Sequence, residues 1–453
     1  MSLDPVRRLA WDVLQRAERD ENLDAALDDA LARLPDERDR RFLAELVKGA
    51  LRWRGRYDHL VRRFSRHDAA TPPQIADVLR LGLHQLLGMD RVPDHAAVHQ
   101  SVALARDVAG PWPAPFVNGL LQSVRRTLDG APQREEALHA LFPDPARDPD
   151  GWLSTWWSHP RWLVARWRAR YGLAATAELC RCNNLSPPLA VHVLAPADPA
   201  AVAAGLAAAG RSARPGDLSP RALLLASEER ADLAALLRTR PELIVQDEAV
   251  QAACDLLLDG VAGPALDLCA APGGKTARLR AALAAGDDGS PALLVAADLS
   301  ASRLRKLQAT AKRIDAGPDL VVSADGRAAP FRPGSFATVL LDGPCTGTGV
   351  LRRHPEGKWR LGPEAIVASA TRLTELARRA SLLLAPGGRL LYATCSLEPE
   401  ENEGVLEAVL AAEPSLAPCP WRADGEWART WLPQREGADG FFAARLSRRR
   451  DAS

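Results

Sequence analysis

The chain has 453 residues, 47% hydrophobic and 25% charged, and its 58 basic and 57 acidic side chains leave a net charge of +1. That length is too great for one core and implies two to four domains of roughly 100–200 residues, while the near-neutral balance removes a globally basic surface as a pointer to nucleic acid. Seven cysteines without a C-x-x-C pair support neither a zinc site nor a disulfide framework. No basic-then-apolar opening predicts a secretory signal, and no apolar run reaches the ~18 residues of a membrane span, so the expected location is the cytoplasm, with no membrane partner and no metal.

Residues 1–142 read as an all-α bundle. Apolar spacing predicts helices over Val6–Arg19, Leu23–Leu34, Arg38–Trp53, Ala96–Val108 and Pro115–Leu128. Another starts at Thr71-Pro72-Pro73-Gln74, read as a capping box with proline in the first turn, and carries the stripe Ile75, Val78, Leu79, Leu83, Leu86, Leu87. Between Arg38 and Arg66 ten Lys or Arg face only Asp39, Glu45 and Asp58. Such an excess either attracts phosphates or forms a solvated helix face. The run from Phe142 to Gly151, rich in Pro and Asp, reads as a linker. A small α+β module follows over 152–240, with helices Trp162–Tyr171 and Ala174–Cys182 and short strands Leu189–Val193 and Ala222–Leu225.

From 241 to 450 apolar runs alternate with helical stretches. The expected strands are Ala265–Cys269, Leu293–Ala297, Leu320–Ser323, Thr338–Leu341 and Arg389–Ala393. That rhythm describes an α/β, doubly wound Rossmann-like domain, whose ligands bind beyond the carboxyl ends of its strands. The first end is Asp267-Leu268-Cys269-Ala270-Ala271-Pro272-Gly273-Gly274-Lys275-Thr276. Its glycines allow close backbone approach, and Thr276 is expected to open a helix, yet the loop is neither a dinucleotide fingerprint nor a P-loop. Asp298 and Asp325 end the next two strands, suited to ribose hydroxyls and an adenine edge. Singly, each is more often a helix N-cap; in series they describe a nucleoside cofactor.

The fourth end is Leu341-Asp342-Gly343-Pro344-Cys345 and the fifth is Tyr392-Ala393-Thr394-Cys395-Ser396. One cysteine at such a place is core by default; two at the functional rim, one beside Asp342, suggest covalent chemistry. Carbon 5 of cytosine is too weak a nucleophile for a methylsulfonium, and a thiolate added at carbon 6 activates it as an enamine. A nearby cation or helix N-terminus would favour the thiolate. Asp342 would hydrogen-bond cytosine N3, and the base must be flipped or single-stranded to be reached. Arg352, Arg353, His354 and Lys358-Trp359-Arg360 supply cations and an aromatic for RNA phosphates and stacking.

At Leu266–Thr276, Leu340–Trp359, Tyr392–Asn402 and Gly437–Leu446 the chain resembles the RNA cytosine-C5 methyltransferase family, and at Asp39–Asp58 and Phe116–Leu121 its bundle resembles the antitermination factor NusB. The combined architecture is similar to the NusB-domain-containing, Sun/RsmB-like enzymes that methylate a cytosine of 16S rRNA. The resemblance implies a NusB-like RNA-binding domain over 1–142, a ferredoxin-like module over 152–240 and a catalytic domain over 241–450, acting as a monomer on RNA with S-adenosylmethionine. It implies that Cys269, Ala270, Ala271, Pro272, Gly273, Gly274, Lys275, Asp298, Asp325 and Asp342 contact or neighbour the cofactor. It also makes Cys395 the nucleophile and Cys345 the thiol that assists release. DNA cytosine methyltransferases use the Pro-Cys thiol instead, and spacing alone leaves that choice open. A relic fold serving RNA assembly, or a methyltransferase for protein or DNA, are the competing readings. Gly343 stands where the family usually has alanine.

Overall fold

The computed structural model describes residues 3–19, 21–65, 71–226, 233–284 and 292–450. It divides into two compact units, Met1–Leu185 with His354–Arg360, and Ser186–Arg353 with Leu361–Ser453. Among the described residues no helix is long and apolar enough to cross a membrane, and no cluster of three or more potential metal ligands occurs.

The first unit is helical. Pro5–Glu18, Leu23–Leu31 and Glu37–Arg52 each begin on a side-chain cap, from Asp4, Asn22 and Asp36 respectively, which satisfies amide groups that a helix start leaves open. Arg54–Phe64, Pro73–Gly88, Asp94–Ala109 and Ala114–Asp129 follow. Their inward stripes, including Leu43, Leu46, Leu60, Val78, Leu79 and Leu121, form one core. The helix at Pro73 has proline in its first turn, but Pro72 is the N-cap and no side chain caps it, so Thr71 does not complete a capping box.

The run expected as a linker is partly helical: Asp148 accepts the Gly151 amide at 3.0 Å and Pro149 opens the helix Pro149–Trp156. Its prolines and aspartates are helix-start residues as well as loop residues. Arg161–Tyr171 and Leu173–Asn183 continue the helical unit.

The second unit holds two sheets. β1 (Leu189–Val193), β2 (Ala213–Pro215), β3 (Ala222–Leu225) and β4 (Leu243–Val245) form an antiparallel sheet in the order β2-β3-β1-β4. β1 and β3 match the sequence reading; β2 and β4, three residues each, carry too little pattern to be read.

The larger sheet comprises β5 (Ala265–Asp267), β6 (Leu294–Asp298), β7 (Leu320–Ser323), β8 (Phe336–Asp342), β9 (Leu384–Thr394), β10 (Leu416–Pro418), β11 (Ala428–Trp431) and β12 (Phe441–Arg448). Its order is β10-β12-β9-β8-β5-β6-β7, with β11 paired to β12. β5 to β9 run parallel, as expected of a doubly wound domain, and β12 lies antiparallel against β9. The chain reverses between β7 and β8, on either side of β5, so the carboxyl ends of β5 and β8 flank the switch point where such sheets bind ligands.

Candidate active site

The structure gathers the sequence-predicted residues along the carboxyl edge of this sheet. β5 ends at Asp267, which lies in register with Ala296 of β6 and Leu340 of β8; Asp342 of β8 lies in register with Ala393 of β9. From β5 the chain turns through Cys269–Gly273 into the helix Gly274–Ala284. Gly273 has φ +105°, a conformation that favours glycine, and it packs on Leu307. A Cβ on Gly274 would meet only Gln246, at 3.8 Å, so the helix start is loosely packed there. The helix begins at Gly274 rather than Thr276. The Thr276 hydroxyl instead turns back and donates to Asp267 Oδ2 at 2.7 Å.

Asp267 was not among the predicted site residues. It is buried, its Oδ1 has no hydrogen-bond partner, and its carboxyl is pushed up to about 7 by burial, with Asp342 and Asp298 adding repulsion. An orphaned acceptor of this kind is costly unless something completes it. Its position, first tip of a βα unit with no hydrophobic role to fill, was the available signal.

Asp298 is also buried and accepts the Ala271 amide at 3.1 Å and the Ser300 amide at 2.9 Å, tying the glycine loop to β6. Asp325 caps the short turn Gly326–Ala328 and pairs with Arg327 at 2.7 Å. Those neighbours hold its carboxyl below the usual range, the Arg327 side chain first. Lys275 donates to Asp342 Oδ2 at 2.7 Å and lies 5.1 Å from the Phe441 ring centre. Burial opposes the Lys275 charge, but Asp342 and the Cys254 and Cys395 sulfurs outweigh it, and its pKa is raised.

The two thiols do meet. Cys345 Sγ and Cys395 Sγ are 3.3 Å apart, both free and both partly buried. The hydrogen bond to Cys395 and burial push the Cys345 thiol well above its ordinary range. The loops that carry them are fixed by Glu401, a second residue the sequence reading passed over although its segment was in view. The Glu401 carboxylate accepts the Thr346 amide at 2.7 Å, the Thr346 hydroxyl and the Ser396 hydroxyl. Gly349 donates to the Cys395 carbonyl at 2.9 Å, and Gly440 donates to the Gly349 carbonyl at 2.8 Å. A Cβ on Gly349 would sit 2.3 Å from the Gly440 carbonyl oxygen, so no side chain fits there. Gly343 also gains a reason: a Cβ would fall 2.2 Å from a Leu373 methyl.

The basic segment after Cys345 is not the RNA-contacting surface it was expected to be. Arg352 and Arg353 pair with Asp247 and Asp439; Arg352 and Asp439 are buried, and the Asp247 side chain is only 5% exposed. Lys358 belongs to the helical unit, where its buried ammonium donates to the Arg52 and Ser158 carbonyls and to Asn184 Oδ1. Burial pushes its pKa well below the ordinary range. Trp359 donates to the Leu51 carbonyl, Arg360 to those of Ala17 and Glu21, and His354 lies beside Asp24 and Glu356.

Most of the Arg38–Arg66 run is used in the same way. Arg41 pairs with Glu37, Lys48 with Asp24 and Arg54 with Glu18, Arg40 binds the Leu34 carbonyl, and Arg56 stacks 4.0 Å from both the Trp53 and Trp156 rings. Arg66 lies outside the described residues.

A sheet edge with an orphaned carboxylate oxygen, a glycine-containing loop at a helix start and two adjacent thiols fits a nucleoside cofactor beside a covalent centre. Comparison with known proteins agrees with that geometry. A family profile described as 16S rRNA methyltransferase RsmB/F matches residues 260–447, one for the NusB family matches 4–126, and one for an RsmF/B-like ferredoxin-like domain matches 159–231. A probable ribosomal RNA small subunit methyltransferase B of Bacillus subtilis is 30% identical over 428 residues, 91% of each chain. Ribosomal RNA small subunit methyltransferase B of Pseudomonas putida is 33% identical over 452 residues, 98% of this chain and 97% of that one. Among solved structures, the crystal structure of PH0851 shares the fold with a TM-score of 0.77 at 23% identity, covering 98% of this chain and 99% of that one. The chain therefore belongs to the RsmB/F family of 16S rRNA methyltransferases and is an S-adenosylmethionine-dependent ribosomal RNA methyltransferase.

Proposed function

We propose that the enzyme methylates carbon 5 of a cytosine in 16S rRNA through a transient bond between Cys395 Sγ and carbon 6. The observation that carries this reading is the 3.3 Å approach of Cys345 Sγ and Cys395 Sγ at the ends of adjacent strands, with Lys275 close by. When bound, S-adenosylmethionine supplies an electrophilic methyl group; a fold relative from Pyrococcus horikoshii, NSun6, was solved with SFG. Asp267, Asp298 and Asp325, with the loop Cys269–Lys275, would hold that cofactor, and the unpartnered Asp267 Oδ1 would accept one of its donors.

In this scheme the Cys395 thiolate gives its electron pair to carbon 6, and carbon 5 becomes the nucleophile that takes the methyl group. Asp342 holds Lys275 through Oδ2 and would serve cytosine N3 with its other oxygen. Cys345 assists release: the carbon-5 proton leaves to a base, the carbon–sulfur bond breaks, and its electron pair returns to Cys395. The enzyme would work as a monomer in the cytoplasm, with residues 1–142, 152–240 and 241–450 as RNA-binding, ferredoxin-like and catalytic domains.

Two variants test the scheme. Cys395→Ser is expected to lower methyl transfer by about 10³-fold or more, since nucleophile losses are among the largest known. Cys345→Ala is expected to accumulate a denaturant-stable RNA–protein adduct. Normal turnover by Cys345→Ala together with adducts from Cys395→Ser would reverse the roles. Bisulfite sequencing of 16S rRNA from a deletion strain identifies the base; an unchanged cytosine pattern would refute the substrate.

A further inference from the structure

We propose that Glu401 is a positioning residue for the two thiols: one buried carboxylate holds the residue that follows each cysteine and so fixes their separation and their unequal roles. The inference rests on the reading of Cys395 as attacker and Cys345 as the releasing thiol.

Glu401 is fully buried. Its hydrogen bonds come from Thr346, the residue after Cys345, and from Ser396, the residue after Cys395. All three donors are neutral. Burying a carboxylate without a cation is expensive, and an apolar side chain would fill the same space at lower cost if packing were the only demand. A carboxyl group offers acceptors on both oxygens, so this one side chain reaches two loops at once. Tyr392 adds a clamp from β9 by donating its hydroxyl to the Glu401 carbonyl. The Thr348 hydroxyl, which accepts the Leu397 amide at 2.9 Å, is a further link between the loops, but it joins residues more distant from the thiols.

The charge is placed unevenly as well. Glu401 adds to the forces that keep Cys345 protonated, while the ammonium of Lys275 interacts with Cys395. Cys345 is thereby held as the thiol, which lowers its own reactivity.

The test compares full-length wild type with Glu401→Gln and Glu401→Asp. Iodoacetamide labelling of each cysteine, read by peptide mass spectrometry without RNA, reports on the thiols independently of methyl transfer. In wild type Cys395 should label about tenfold faster than Cys345. In Glu401→Gln that ratio should fall toward one and kcat should fall about 10- to 100-fold, the cost of a small misplacement. KM for RNA and calorimetric affinity for S-adenosylhomocysteine should stay within about twofold, and Glu401→Asp should recover part of kcat. Wild-type labelling and kcat in Glu401→Gln overturn the proposal. If that variant does not fold, Thr346→Val, which keeps the carboxylate and removes one donor, must shift the labelling ratio, and an unshifted ratio overturns the proposal equally. Should Cys345 label faster in wild type, the thiol roles fail, while a ratio altered by Glu401→Gln still upholds the positioning role.

Discussion

Two regions of the catalytic unit bury charge and use it in opposite ways. Around Arg352 and Arg353, two guanidiniums meet the two carboxylates of Asp247 and Asp439, so the charges cancel. At the ends of β5 and β8, the ammonium of Lys275 pairs with Asp342, while Asp267 has a neutral hydroxyl on Oδ2 and no hydrogen-bond partner on Oδ1. The closed set preserves a shape. The open set stores an unmet demand that a ligand can satisfy. Net charge, which is +1 for the whole chain, says nothing about this difference; the pairing does.

The sharpest way to break the contrast is to open the closed set. Arg352→Ala leaves two buried carboxylates with one guanidinium and should destabilise the catalytic unit by about 3–5 kcal/mol, read from the urea midpoint. An unchanged midpoint would show that this cluster is not structural.

The converse is Asp267→Asn. Removing a buried, unmatched charge should leave stability unchanged or raise it, while affinity for S-adenosylhomocysteine falls about 10- to 100-fold by calorimetry. Loss of stability without loss of affinity would place Asp267 among the closed, structural charges.

The pH dependence refines this. The Asp267 carboxyl is raised from 3.8 to about 7, so the folded protein holds a proton that the unfolded chain releases. Its contribution to stability is complete below about 4 and is lost as pH rises to about 7. Binding a donor requires the ionised form, so cofactor affinity should increase over the same interval and level off above it. Asp267→Asn should bind with no such slope.

The mildest test concerns exposed cations in the helical unit. Arg62 and Arg63 are exposed, and replacing both by alanine should weaken RNA binding only several-fold and lower the salt slope by about 1–2. A larger loss would give that helix a greater role than its two exposed charges suggest.

The parallel strands were legible because each is an apolar run stopped by a polar or glycine turn, and the residues at those stops were legible for the same reason. β12 was not, since Arg445, whose guanidinium bonds the Cys419 and Pro420 carbonyls, interrupts its apolar run. The role of Arg352 was misread because a sequence displays a charge without its partner. Here the partners lie 105 and 87 residues away, at Asp247 and Asp439. Asp267 and Glu401 were missed for a related reason. Both sit inside recognisable motifs, but what distinguishes them, an orphaned oxygen in one and two loops on one carboxylate in the other, exists only after folding. Cys345 and Cys395 were singled out because their strand ends advertised them, although their closeness could not be read 50 residues apart.

The contact of Gly440 with Gly349, and of Asp439 with Arg352, also has a consequence in time. A ribosome that has just emitted Arg352 must add 87 residues before Asp439 exists, roughly 4–17 s at ordinary elongation rates. During that interval both thiols can be present on a nascent chain whose Pro-Cys loop lacks its anchor. Both thiols thus precede the Asp439 and Gly440 contacts, and on the proposed reading the pair is completed only late in translation.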